Sequence, residues 1–366
     1  MDPVNYYVAF NEVGGIGPAR LERLIATCGS VEAAWRARPA QWRAAGLDDG
    51  RIRALQAAQA RDPGAALARV TRAGILALCR EDARFPAALT TFNHAPALLY
   101  VRGTLIAADD RAVAIVGTRN PSEYGRDVAR QLAGALAGAG VTIVSGLALG
   151  IDAIAHQAAL DAGGRTIAVL ACGADQVYPL RHRALAAHIA TSGALVSEFP
   201  VGQRPLPALF PARNRLISGL AQAVIVIEAD LGSGALITVD CALDQGREVG
   251  AVPGSIFSDR SRGTHRMLRD GAHLITAADD VLALIGMPPT ARPAAPAFDA
   301  PDDPLERAVL AQVGSTALDI DTLAELVGAT PAVLGVALSS LEIAGLVRRT
   351  AGGAFVRSAR QPPPGV

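Results

Sequence analysis

From Gly74 onward the apolar positions fall into short runs separated by longer stretches of helical spacing. Residues 112–116, 141–144, 166–170, 195–196, 223–228 and 248–252 are nearly continuous in Val, Ile, Leu and Ala, the signature of strands buried on both faces. Between the first of them, residues 126–139 and 152–162 repeat their apolar positions three and four apart, as helices lying on a sheet do. This alternation predicts a doubly wound, mostly parallel α/β sheet over residues 73–285, with its ligand at the C-terminal ends of the strands. Residues 75–79 and 97–103 read as shorter strands that lead into it. Residues 1–72 are helical in pattern and predict a separate N-terminal domain, with Leu21, Leu24 and Ile25 on one helix face.

The two ends are less decisive. Gly15-Ile16-Gly17-Pro18 opens a helix and resembles the hairpin of helix-hairpin-helix modules, whose backbone N–H groups meet a DNA phosphate; a plain packing turn fits the same residues. Residues 286–304, rich in Pro and Ala with three aspartates, predict a linker. Residues 305–358 then predict three helices and a two-stranded wing, an order that resembles a winged helix. The helix in the recognition position carries Glu342 and no cation, which suits protein contact or packing better than a phosphate-lined groove. Residues 359–366 are expected to be a disordered tail.

Composition narrows the function classes. At 366 residues the chain exceeds one ordinary core, and 51% apolar with 4% aromatic content favours α/β over a sandwich. All 34 basic residues are arginine, a compositional bias that by itself says nothing about bidentate chemistry, and they balance 34 acidic residues. Anion binding must therefore be local. Cys28, Cys79, Cys172 and Cys241 are scattered without a Cys-x-x-Cys, so a reduced, cytoplasmic protein is expected, with no metal site built from cysteine. No apolar run approaches the roughly 18 residues of a membrane span, and no membrane partner is expected.

Candidate chemistry lies in five strand-end loops. Residues 199–219 contain no acidic residue and bring Gln203, Arg204, Phe210, Arg213, Asn214 and Arg215 together with four prolines, which predict a stiff loop of donors and rings outside helix and central strand. Phe210 is either an exposed ring for a base or a buried anchor of that loop. The loop at Gly117, Thr118, Arg119 and Ser122 lacks the Gly-x-Gly-x-x-Gly spacing of a dinucleotide site, so NAD is not expected. Ser145-Gly146 and Ser233-Gly234 open two further turns whose free N–H groups suit an anion. Asp152 reads as a helix N-cap, and His156 as a structural histidine. Glu198 and Glu228 are either counter-ions to the arginines or an acid/base pair. Tyr178 and Asp175 stand on the remaining loop.

Taken together, Gly117-Thr118-Arg119 with Ser122 to Gly125, Val144 to Asp152, Phe210 to Arg215, Ser233-Gly234 to Thr238, and Val252-Pro253-Gly254 resemble the DprA/Smf family of DNA-processing proteins. The resemblance covers five ordered motifs between Gly117 and Gly254, and helical start and winged-helix end are accessory domains of that family. It implies an extended Rossmann-like domain that binds single-stranded DNA without a cofactor and is not an enzyme. It also implies a homodimer formed through that domain, which loads RecA recombinase during natural transformation. By motif, Arg119 would meet a phosphate, the two Ser-Gly turns would line the pocket, and Gln203 to Arg215 would hold backbone and base. Two positions depart from the family pattern: His182 stands where asparagine is common, and Gly232 where lysine is common. The alternative is a nucleotide-hydrolysing phosphoribohydrolase of related fold, but its Pro-Gly-Gly-x-Gly-Thr-x-x-Glu signature is absent.

Overall fold

Six helices open the chain: α1 (Pro3–Asn11), α2 (Pro18–Cys28), α3 (Val31–Arg36), α4 (Pro39–Ala44), α5 (Asp49–Gln59) and α6 (Pro63–Arg72). Their starts follow from local chemistry. Asp2, Ser30, Asp48 and Asp62 accept hydrogen bonds from unpaired first-turn N–H groups, and Pro3, Pro18, Pro39 and Pro63 occupy first-turn positions that need no donor. The computed structural model describes residues 1–92, 95–289, 301–314, 316–350 and 352–358. It divides into two units, Met1–Thr290 and Ala291–Val366.

The first unit is built on one nine-stranded sheet: β1 (Leu76–Cys79), β2 (Leu98–Gly103), β3 (Ala112–Val116), β4 (Thr142–Ser145), β5 (Thr166–Val169), β6 (Ala194–Ser197), β7 (Ala223–Val226), β8 (Glu248–Ala251) and β9 (His273–Leu274). Its spatial order is β1-β2-β6-β5-β4-β3-β7-β8-β9. The two pairings of β2 are antiparallel, and all pairings from β6 across to β9 are parallel. The chain builds outward from β3 to β6, then returns to set β7 against the other side of β3, in register from Val113 opposite Ala223 to Val116 opposite Val226. That reversal opens a crevice beyond the C-terminal ends of β3 and β7, where an open α/β sheet takes its ligand.

Between these strands run α7 (Glu123–Gly138), α8 (Ile151–Asp161), α9 (Arg183–Ser192), α10 (Leu209–Gly219), α11 (Gly234–Asp244) and α12 (Arg262–Arg269), and α13 (Ala278–Leu284) follows β9. Helices α7, α8 and α13 bury their apolar stripes with Val113, Ile115, Ile143 and Ile225. Helices α10 and α11 cover Ala114, Val116, Val224 and Val226 on the opposite face. Burial on both sides is why the strands β3 to β7 carry no charged residue. The sheet is thus the extended Rossmann-like, mostly parallel architecture that the alternation predicts.

The expected boundary near residue 72 runs through a continuous core. Tyr6, Phe10, Leu24 and Trp35 of the N-terminal helices pack in one cluster with Ala77, Cys79, Leu98 and Tyr100 of the sheet. Tyr100 also donates its hydroxyl to Asn11 Oδ1 at 3.0 Å, and Tyr7 donates to Glu81 at 2.6 Å.

In the second unit α14 (Pro304–Gln312), α15 (Ile320–Val327) and α16 (Pro331–Ile343) precede β10 (Val347–Arg349) and β11 (Phe355–Arg357), the winged-helix order, around Val309, Leu323, Leu334, Leu338 and Leu341. Most of the expected linker, residues 290–300, and the expected tail, residues 359–366, lie outside the described residues. No single described helix is long and apolar enough to cross a membrane.

The expectation for residues 199–219 fails in part. Residues 209–219 form α10 rather than a stiff loop, because Pro211 falls in the first turn, where the missing N–H costs no intrahelical bond. The helices α9 and α12 also go unread in the sequence.

Candidate functional site

The crevice beyond β3 and β7 holds a cavity of about 800 Å³. Gly117, Thr118 and Arg119 after β3, Phe210, Arg213 and Asn214 on α10, and Ser233 and Gly234 at the start of α11 line it, so eight of the predicted residues meet in one place. Tyr178, Pro207, Pro211, Asp152, Asp230 and Thr238 line it as well and were not among the site residues read from sequence. Tyr178 carried a visible signal, an aromatic side chain at a strand-end loop, and it remains half exposed.

At the mouth, the guanidinium of Arg119 lies over the ring of Phe210, 5.8 Å from its centroid, and Tyr178 meets the same ring edge-on at 5.7 Å. A cation beside two rings of which one is half exposed offers charge to a phosphate and π-faces to a base. No carboxylate pairs with Arg119 among the described residues, whereas many other arginines here are paired. Phe210 therefore belongs to the pocket rather than to the core. Glycines 232 and 234 also line the cavity: a Cβ at either would meet nothing within 4 Å, so the protein itself leaves that space open. Ser233 caps α11 by accepting from Ala235 N, with the helix N-terminus facing the cavity.

The remaining predicted residues shape the site or stand outside it. The turn at Ser145-Gly146 does not offer a free anion nest, because its donors are taken from within. Asp152 is not the N-cap of α8; Gly150 is, at φ +80°, and Asp152 reaches back from the first turn to accept from Gly146 N at 3.1 Å and Ala148 N at 3.3 Å. Ile151 N is bonded to Thr118 O, and Ser145 donates to Ile115 O. Arg213 donates to Gly146 O at 2.7 Å and to Val169 O, and is 4% exposed. A Cβ on Gly146 would lie 2.5 Å from that guanidinium, so the close approach requires glycine. His182, in the position where asparagine is common, donates Nδ1–H to Leu147 O at 2.9 Å. Three side chains thus lock one turn that includes Leu147 at φ +55°.

The electrostatics follow from burial. Burial lowers the Arg213 guanidinium to about 10, against the pull of Asp152, so it stays a cation at neutral pH. Burial raises the Asp152 carboxyl, and Arg213 offsets part of that rise. His156 is structural: its Nδ1 meets Thr166 Oγ1, which itself donates to Ile143 O, so Nδ1 carries the proton. Burial, then His182 and Arg213, lower its imidazole to about 3.

Arg215 turns away from the cavity and pairs with Glu198, whose backbone carbonyl accepts from Asn11 on α1. Gln203 donates to Arg204 O, and neither lines the cavity. Glu228 is not a counter-ion to an arginine: it accepts from Ser122 N at 2.9 Å and from Ser122 Oγ, and Ser122 caps α7. Neither glutamate lines the cavity, so they make no acid/base pair there. Among the described residues no group of three or more His, Cys, Asp or Glu is placed to hold a metal ion.

Comparison with known proteins bears on this geometry. A family model described as DNA recombination-mediator protein A matches residues 77–286, and one described as the DprA winged helix domain matches residues 288–353. The chain is 42% identical to Protein Smf of Escherichia coli over 284 residues, 75% of each chain. It is 43% identical to the putative DNA processing protein DprA of Mycobacterium tuberculosis over 261 residues, 69% of this chain and 67% of that one. The X-ray structure of DNA processing protein A from Streptococcus pneumoniae superposes with a TM-score of 0.68 at 33% identity, covering 76% of this chain and 97% of that one. The Helicobacter pylori protein, described for its single-stranded DNA binding mode, gives 0.52 at 32% identity over 58% of this chain and 95% of its own. A match spanning most of the Rossmann-like unit, with relatives near 40% identity over most of their length, establishes that the chain belongs to the DprA/Smf family of DNA recombination mediators.

Proposed function

We propose that this protein binds single-stranded DNA in the β3/β7 crevice and acts as a recombination mediator, without catalysing a reaction. The observation that carries this is the unpaired Arg119 guanidinium over Phe210, beside the half-exposed Tyr178, at the mouth of an open cavity. Single strands are held without sequence readout by cations that track phosphates and rings that stack on bases, each stacked base contributing about 1–3 kcal/mol. A duplex keeps its bases paired and has no face to offer such rings. The single-strand binding described for the Helicobacter pylori relative supports the same reading. Family membership supports the wider role: a cytoplasmic homodimer, joined through the Rossmann-like unit, that protects incoming strands and loads RecA during natural transformation. The two-residue edge strand β9, both of whose residues are exposed, is a candidate part of the dimer surface.

The hydrolase alternative loses support from Glu228, the strand-end carboxylate it needs, which is committed to Ser122. The test is titration of a labelled mixed-sequence oligonucleotide at two salt concentrations. Wild type should prefer the single strand to duplex, and Arg119→Ala should weaken binding and lower the salt slope by about 0.7. Duplex preference, or unchanged binding by Arg119→Ala, overturns the pocket. Release of free base from nucleoside monophosphates, lost in Glu228→Gln, would establish the hydrolase instead.

A further inference from the structure

The loop after β8 exposes two apolar side chains for which the fold has no use. Phe257 is 93% exposed and Ile256 80%, the highest values among the exposed large apolar side chains that lie in the first unit. The turn that presents them is braced rather than loose. Tyr124 donates its hydroxyl to Pro253 O at 2.7 Å, Ser255 Oγ accepts from Phe257 N, and Ser255 O accepts from Ser258 N. Its far side is tied to the loops that line the cavity: Arg260 Nε donates to Asn120 O at 2.8 Å, and Arg260 O accepts from Ala229 N. The acidic residues nearby are occupied, since Arg262 pairs with both Asp230 and Asp259, while no carboxylate pairs with Arg260 among the described residues.

We propose that Phe257, with Ile256 beside it, is a second stacking platform, and that a bound strand leaves the pocket past Arg119 and Arg260 to reach it. This rests on reading the crevice as a single-strand site. The turn offers the same two kinds of group as the pocket, an arginine with no carboxylate partner among the described residues and, three residues before it in the chain, an exposed aromatic ring, one loop further along the same edge of the sheet. A protein partner is the poorer occupant: two side chains on a turn present at most a few hundred Å², well below the roughly 800 Å² per side of a stable interface. A single strand needs no such area, because each base stacks on one ring.

The test compares oligo-dT of 6 and 20 nucleotides by fluorescence anisotropy, using the full chain. Phe257→Ala should weaken binding of the 20-mer by about 5- to 100-fold and leave the 6-mer unchanged. In Phe257→Trp the new indole is exposed, whereas Trp35 and Trp42 are buried. Its fluorescence should be quenched by the 20-mer and not by the 6-mer. Wild-type affinity of Phe257→Ala for both lengths, or an unquenched Phe257→Trp, overturns the platform while leaving the pocket intact. A change in sedimentation of the DNA-free Phe257→Ala protein with unchanged DNA affinity assigns the turn to contact between copies and also overturns it. If wild type binds neither length, the reading of the pocket fails and takes the platform with it.

Discussion

Replacing Arg213 with methionine should unfold the protein more readily before it does anything to a ligand. The side chain is 4% exposed, and its guanidinium holds Gly146 O and Val169 O while facing the buried Asp152. Methionine keeps the unbranched apolar stem and removes the guanidinium with its charge. Two carbonyls then lose a donor, at about 1–3 kcal/mol for each buried group left unsatisfied, and Asp152 becomes an uncompensated buried charge, a change that typically costs about 3–5 kcal/mol. These losses overlap because one cation serves all three acceptors, so the expected destabilisation is about 3–5 kcal/mol, a large part of the roughly 5–15 kcal/mol that folded domains have. Urea unfolding followed by far-UV circular dichroism measures it. Asp152→Asn combined with Arg213→Met should be less destabilising than the two single changes added together, since the neutral amide no longer needs the cation. If Arg213→Met unfolds at the wild-type midpoint yet loses single-strand binding, the guanidinium serves a phosphate rather than the loop.

Two other changes act through different terms. Gly232→Lys should strengthen single-strand binding and steepen its salt slope by about 0.7, with stability within about 0.5 kcal/mol of wild type, because the position has open space and no positive φ; paired binding and melting curves check both. His156 should make stability depend on pH below neutrality. Its imidazole titrates near 3 when folded against an ordinary 6.5, so the unfolded chain takes up the proton first and stability is lost as pH falls through that window. The loss between pH 7.5 and 5 should be on the order of 2 kcal/mol, and His156→Gln should flatten the urea midpoint over that range.

The sheet was legible because a strand buried on both faces leaves a run of apolar letters, as at Ala112–Val116. The loops that meet at its edge were legible as a set for the same reason: once the strands are placed, their C-terminal ends are placed too. What each side chain does in those loops was not. Ser122 answers to a carboxylate 106 residues away, and Arg213 to carbonyls 44 and 67 residues away, and no local pattern encodes such partners. The helix α10 was hidden by its own prolines, of which Pro211 falls in its first turn while Pro200, Pro205 and Pro207 precede it. Asp152 was misread by two positions, since Gly150 is the cap, enough to turn an N-cap into the group that fills a nest.

On the proposed reading, that filled nest bears on competition between a single strand and free nucleotides. A Rossmann-like crevice with an open ring of N–H groups would take up any free diphosphate. Here the ring at Gly146 and Ala148 already holds the Asp152 carboxylate, a resident anion attached to the same helix and present at an effective concentration that a diffusing phosphate does not match. A small nucleotide thus finds one of its two usual grips closed, while a longer polyanion still has Arg119 and the start of α11 to span. On the proposed single-strand reading, one aspartate thus favours a polymer over a free nucleotide in this crevice.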